Sequence, residues 1–104
     1  MSAAPLAESR ETGGFVATDD GWAFAGALTL DDAADVLTAS VALPLPLSGM
    51  LDFTGVMHAD SAALAVVIAL KRRAIVEGRT LSIVGLPASL HSLAVVYGVE
   101  NLLG

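Results

Sequence analysis

Residues 51–73, LDFTGVMHADSAALAVVIALKRR, decide how the chain is read. The opening residues, with Gly49 and Met50 before them, are an apolar run suited to a short buried strand over 49–53. TGVMHAD, at 54–60, carries loop signals. Asp60 and Ser61 then stand ahead of nine consecutive apolar residues, 62–70. That is about half of the roughly 20 residues a helix needs to cross a bilayer, so no membrane insertion is expected. Either polar side chain can accept a hydrogen bond from the free amides of a first helical turn, and Ser61 is expected as a cap at the edge of a contact surface. Gly78 suits the left-handed position that closes a helix. The pattern predicts a long helix over about 61–77.

Placed on a helical wheel at about 100° per residue from Ser61, Ala63, Leu64, Val67, Leu70 and Ala74 fall between about 180° and 300°. This apolar arc is assigned to a sheet. The opposite arc collects Ser61, Ala65, Ile68, Ala69, Arg72 and Val76, mostly small or apolar although this side should meet water. A helix that is apolar on both sides needs two burials. The second could come from neighbouring loops or the N-terminal segment folding over it. The alternative is a docked partner: small residues permit close approach, and Arg72 can supply a directional ion pair at the rim.

Outward from this helix, the remaining elements follow. FVATDDGWAFAGAL, at 15–28, holds two short apolar runs around Asp19-Asp20-Gly21, and Asp-Gly supplies the positive φ values of a tight hairpin. Two antiparallel strands are expected, over 15–18 and 22–28. Leu30, Ala33, Ala34 and Leu37 recur at helical spacing with Asp31 and Asp32 in the first turn, where they favour the helix dipole. This helix must end before Pro44, since Pro44 and Pro46 lack an amide donor and restrict their predecessors to extended backbone. TLSIV, at 80–84, reads as a strand and ASLHSLAVVY, at 88–97, as a last helix closed by Gly98. The order is ββαβαβα, an open, mostly parallel α/β sheet of about four strands with helices mainly on one face. Residues 1–13 read as a flexible tail, and 14–104 as one domain.

Composition narrows the functions. The chain of 104 residues is 55% hydrophobic with a mean hydropathy of +0.72, and only 15% is charged, against about 25% in typical domains. Such a surface is expected to meet a partner. Nine of the eleven acidic residues precede Ala62, and the formal charge is -6, which argues against nucleic-acid binding. The absence of cysteine removes disulfides and thiolate metal sites and fits a reducing compartment. The first fourteen residues lack the apolar core of a secretory signal, so a cytoplasmic location is expected.

Catalytic readings find little support. Ser61 sits in Ala-Asp-Ser-Ala-Ala rather than Gly-x-Ser-x-Gly, and neither His58 nor His91 is placed beside it by spacing. Asp52, His58, Asp60 and His91 show no metal-ligand spacing. Gly49, Gly55 and Gly85 are isolated and form no phosphate loop. No cofactor, metal or catalytic residue is expected.

LDFTGVMHADSAALAVVIAL resembles the central motif of STAS domains, a strand ending in Asp-Leu-Ser-x-Val, a loop, and Asp-Ser/Thr-x-Gly-Leu opening a helix. The likeness spans about 15–103. Within the family it is nearest to the MlaB-type domains, small cytoplasmic subunits of a bacterial phospholipid-transport ABC system, with the ending GLPASLHSLAVVYGVENLL as the second point of similarity. The resemblance implies that Ser61 takes the position of the phosphorylatable serine of anti-sigma factor antagonists, which is a threonine at the ATPase-facing surface in the MlaB type. Asp60 takes the motif's aspartate, and Ala63 replaces its usual glycine. It further implies a non-catalytic domain whose partners are an MlaF-like ABC ATPase and, through it, an MlaE-like permease. The contact residues expected are Asp60, Ser61, Ala65, Ile68, Ala69, Arg72 and Val76, with His91 and Val95 on the last helix. The alternative is an anti-sigma factor antagonist released from its partner by phosphorylation of Ser61.

Overall fold

The computed structural model describes residues 14–103; the expected tail over 1–13 lies outside them. Strands β1 (Gly14–Thr18), β2 (Gly21–Leu28), β3 (Met50–Ala59) and β4 (Ser82–Val84) form one sheet in the order β1-β2-β3-β4. Helices α1 (Leu30–Val41), α2 (Ser61–Val76) and α3 (Ala88–Val96) follow β2, β3 and β4 in turn. β1 and β2 pair antiparallel, whereas β2, β3 and β4 run parallel. This is the expected ββαβαβα order and mixed open sheet. A short 3-10 helix, Glu100–Leu102, adds a turn that the sequence pattern does not announce.

The hairpin is closed differently from the Asp-Gly expectation. Asp19 and Asp20 form the two-residue turn between the paired Thr18 and Gly21, and only glycines take positive φ among the described residues. Thr18 Oγ1 donates to the Gly21 carbonyl at 2.9 Å, fastening the turn. Gly21, at φ 146°, is held to glycine by β3: a Cβ there would run into the Met50 carbonyl.

Alternation along the strands puts large side chains on one face. Phe15, Trp22, Phe24 and Phe53 stack with ring centroids 5.1–6.0 Å apart. Val36 of α1, Leu64, Val66, Val67 and Leu70 of α2, and Leu90 and Ala94 of α3 join Trp22, Phe24, Leu51 and Phe53 in one buried cluster. The alternate strand residues Val16, Ala25 and Thr54 are exposed. All three helices thus cover the aromatic face.

One expectation needs correction. Residues 54–59 are not a loop: β3 continues to Ala59, pairing Gly55 with Ala25 and Ala59 with Leu28 across two register shifts. An unbroken β2 offers partners along its length, and backbone pairing outweighs the loop preference of glycine and histidine. α1 forms as its spacing predicts, and of the spaced apolar residues Ala33 and Leu37 pack, partly buried, against the core. Leu30 is 76% exposed, whereas Asp32, Val36 and Ser40 are buried. Asp32 is satisfied by Thr29, whose N–H and hydroxyl both donate to Oδ2, at 3.2 and 2.8 Å.

Candidate functional site

The candidate site named by the sequence is the outward face of α2, whose geometry starts from the helix N-terminus. Asp60 is the cap: its extended backbone precedes the helix, and Oδ1 accepts the Ala62 N–H at 2.8 Å. Its second oxygen accepts the Leu30 N–H, at the start of α1, at 3.0 Å. The cap expected of Ser61 is therefore supplied by Asp60, whose carboxylate reaches the Ala62 amide. Ser61 is exposed, and its hydroxyl has no hydrogen-bond partner among the described residues.

At the other end, Gly78 adopts φ 70° and its N–H reaches the Ile75 carbonyl, while the Arg79 N–H reaches that of Ala74 at 2.7 Å. These are the two bonds of a Schellman closure, as expected for glycine just past a helix. Gly98 closes α3 in the same way, with Val99 N–H bonded to the Ala94 carbonyl at 2.9 Å.

Between the caps, α2 has two faces. Ala63, Leu64, Val67, Leu70 and Ala74 are buried, as the wheel predicts, and Val66 joins them at the edge of that arc. Opposite, Ser61, Ala65, Arg72 and Val76 are exposed, and Ile68 and Ala69 are half-buried. Val76 is 86% exposed. Ala63, where the family motif has glycine, points its methyl into the core and is absent from the outer face.

The helix cations have separate tasks. Arg73 is turned back to the protein, donating to the carbonyls of Ser40 and Leu43 at 3.0 and 2.7 Å and to Glu77 Oε2 at 2.8 Å. Arg79 donates to the Pro46 carbonyl. Arg72 has no hydrogen bond or ion pair among the described residues.

Ile68 and Arg72 also line a groove of about 330 Å³ together with Lys71, Ile75, Asn101 and Leu102. Burial pushes the Lys71 ammonium below its ordinary pKa. His91 and Val95, grouped with the patch by the sequence, are exposed on α3 but do not line this groove. Ile75 could have been found from its wheel angle, about 320°, just outside the outward arc. Asn101 and Leu102 could not, because nothing local places the 3-10 turn beside α2.

On β3, Asp52 stands near Thr54. The Thr54 hydroxyl, and then its N–H at 2.8 Å from Oδ1, hold the Asp52 carboxyl below the usual carboxylate range. Among the described residues no three His, Asp or Glu side chains gather to hold a metal ion, and no helix is long and apolar enough to cross a membrane.

A four-stranded mixed sheet backed by three helices, with a capped helix presenting a second apolar face, defines an α/β domain of the STAS class. A family model described as "Mlab, STAS domain" matches residues 22–104, and the chain belongs to that family of MlaB-type STAS domains. STAS domains are in general binding domains without catalysis of their own. A comparison with curated proteins found no match.

Proposed function

We propose that this chain is a non-catalytic accessory subunit that docks on the MlaF-like ATPase of an MlaFEDB-type phospholipid-transport ABC complex, and through it meets an MlaE-like permease. It would then lie in the cytoplasm, peripheral to the inner membrane, and serve the lipid asymmetry of the outer membrane. The observation that carries this reading is the second face of α2. Ala65, Ile68, Ala69 and Val76 surround an unengaged Arg72 opposite the face that fills the core. Exposed apolar residues rimmed by a directional cation are the makings of a protein interface. His91 and Val95 are exposed on α3.

The phosphorylation switch fits less well. Asp60 already occupies the first-turn amide of Ala62, and a phosphate on Ser61 would meet that carboxylate rather than free amides.

The test is co-expression with the cognate ABC ATPase. Ile68→Glu and the fully outward Ala65→Glu should each abolish co-purification while leaving the circular dichroism and unfolding midpoint of the isolated chain near those of the parent. Retention of the ATPase by both folded variants would remove this face from consideration.

A further inference from the structure

We infer that the groove between α2 and the 3-10 turn is a seat for an acidic amphipathic helix of a partner protein, with an aliphatic side chain in the groove and a carboxylate against Arg72. This rests on the docking role proposed for α2 and specifies the chemistry of what is docked.

The lining supplies both halves of that recognition. Ile68 is half-buried, while Ile75 and Leu102 are 75% and 45% exposed, so three aliphatic groups border the same space of about 330 Å³. Lys71, Arg72 and Asn101 supply the polar lining. Asn101 offers an amide that can donate and accept.

Charge selects the occupant. The chain carries -6 overall, so an acidic segment is repelled by most of its surface. Of the cations on α2 and just after it, Arg73 and Arg79 are committed to carbonyls of the segment around residues 40–46. Arg72, which makes no hydrogen bond or ion pair among the described residues, lines the groove. Of the nearby acids, Glu77 is paired with Arg73 and Glu100 is exposed at the start of the 3-10 turn, and neither is part of the lining. A carboxylate is therefore attracted to this place and disfavoured elsewhere, which is what sets register and excludes wrong partners. A helix suits the seat because residues four apart share one face. It can present an aliphatic residue to Ile68, Ile75 and Leu102 and an Asp or Glu one turn away to Arg72.

The experiment uses the isotope-labelled chain and synthetic helix-forming peptides with leucine at one position and Glu, Gln or Lys four residues later. The Glu peptide should shift the amide resonances of Ile68, Arg72, Ile75 and Leu102, and the Lys peptide should bind at least ten-fold more weakly. Arg72→Glu should invert that order, and Ile75→Asp should remove binding of all three. Equal affinity for the Glu and Lys peptides, shifts confined to other surfaces, or no binding would overturn the proposal. So would groove resonances that move when residues 1–13 are deleted, or when the chain alone is diluted, since the occupant would then be its own segment or a second copy. The peptides carry no ATPase sequence, so their failure leaves the co-purification result standing, and a failed co-purification leaves the peptide result standing.

Discussion

Asp60 and Arg73, at the two ends of α2, hold opposite ends of α1. The carboxylate accepts the Leu30 N–H at the start of α1, and the guanidinium donates to the Ser40 and Leu43 carbonyls at its finish. A negative group at the helix N-terminus and a positive one at the C-terminus each complement the helix dipole. One helix thereby sets the position of the other along its whole length, and the outer face of α2 is presented from a rigid pair.

Asp60→Ala is expected to destabilise the fold by about 1–2 kcal/mol, the loss of a helix cap together with a partly exposed hydrogen bond to a charged group. Asp60→Asn keeps an acceptor for Ala62 and should lose less. Urea unfolding followed by the fluorescence of Trp22, the one tryptophan of the chain, measures both. An unchanged midpoint in Asp60→Ala would show that the two helix starts do not depend on this carboxylate.

Arg73→Lys should cost about 1–2 kcal/mol although charge is conserved. The planar fork reaches Ser40, Leu43 and Glu77 at once and lies 6.0 Å from the Trp22 ring centroid; an ammonium point charge cannot satisfy that set. Glu77→Gln, by contrast, should change stability by less than about 0.5 kcal/mol, since its ion pair with Arg73 is largely at the surface. Equal effects of the two substitutions would mean that the surface pair, not the grip on α1, matters.

The sequence revealed α2 well and its surroundings less evenly. Apolar spacing located the faces of α2, because a helix that buries one side in a core follows its 3.6-residue period. Gly78 and Gly98 marked their helix ends because only the backbone conformation there is at stake. The family motif, read from the same residues, agrees with the match over 22–104. Extension of β3 to Ala59 was hidden, since pairing with β2 is decided by residues thirty positions away in the chain. The Arg73 contacts were hidden for the same reason, and so was the part of the groove formed by Asn101 and Leu102. Charge along the helix said that cations were present, but not which of them turned inward.

Asp52 gives a pH prediction with a definite sign. Its carboxyl is held below 3.8 in the folded chain, first by the Thr54 hydroxyl. A group with a depressed folded pKa contributes stability above its unfolded value, and that contribution is lost as pH falls through the folded value. Thr54→Val keeps the backbone N–H and removes the hydroxyl. It should raise the Asp52 pKa toward 3.8 in a carbon-detected titration and flatten the loss of stability below about pH 4. A titration curve identical to that of the parent would sink this assignment.

Ser61 separates capping from contact. Because Asp60 carries the cap and the serine hydroxyl is unpartnered among the described residues, Ser61→Ala should alter stability by less than about 0.5 kcal/mol, the range of an ordinary surface substitution. Ser61 nevertheless stands on the same outward arc as Ala65 and Arg72, where small side chains leave room for another backbone. Ser61→Arg fills that room and adds a like charge to the arc without touching the core. On the docking reading it should weaken the ATPase complex at least ten-fold at an unchanged unfolding midpoint, with the loss appearing mainly in the dissociation rate. If the complex with Ser61→Arg dissociates as slowly as the parent while Ile68→Glu abolishes it, the contact is confined to α2 from about Ile68 onward. The head of the helix would then serve only to fix α1 and α2 together.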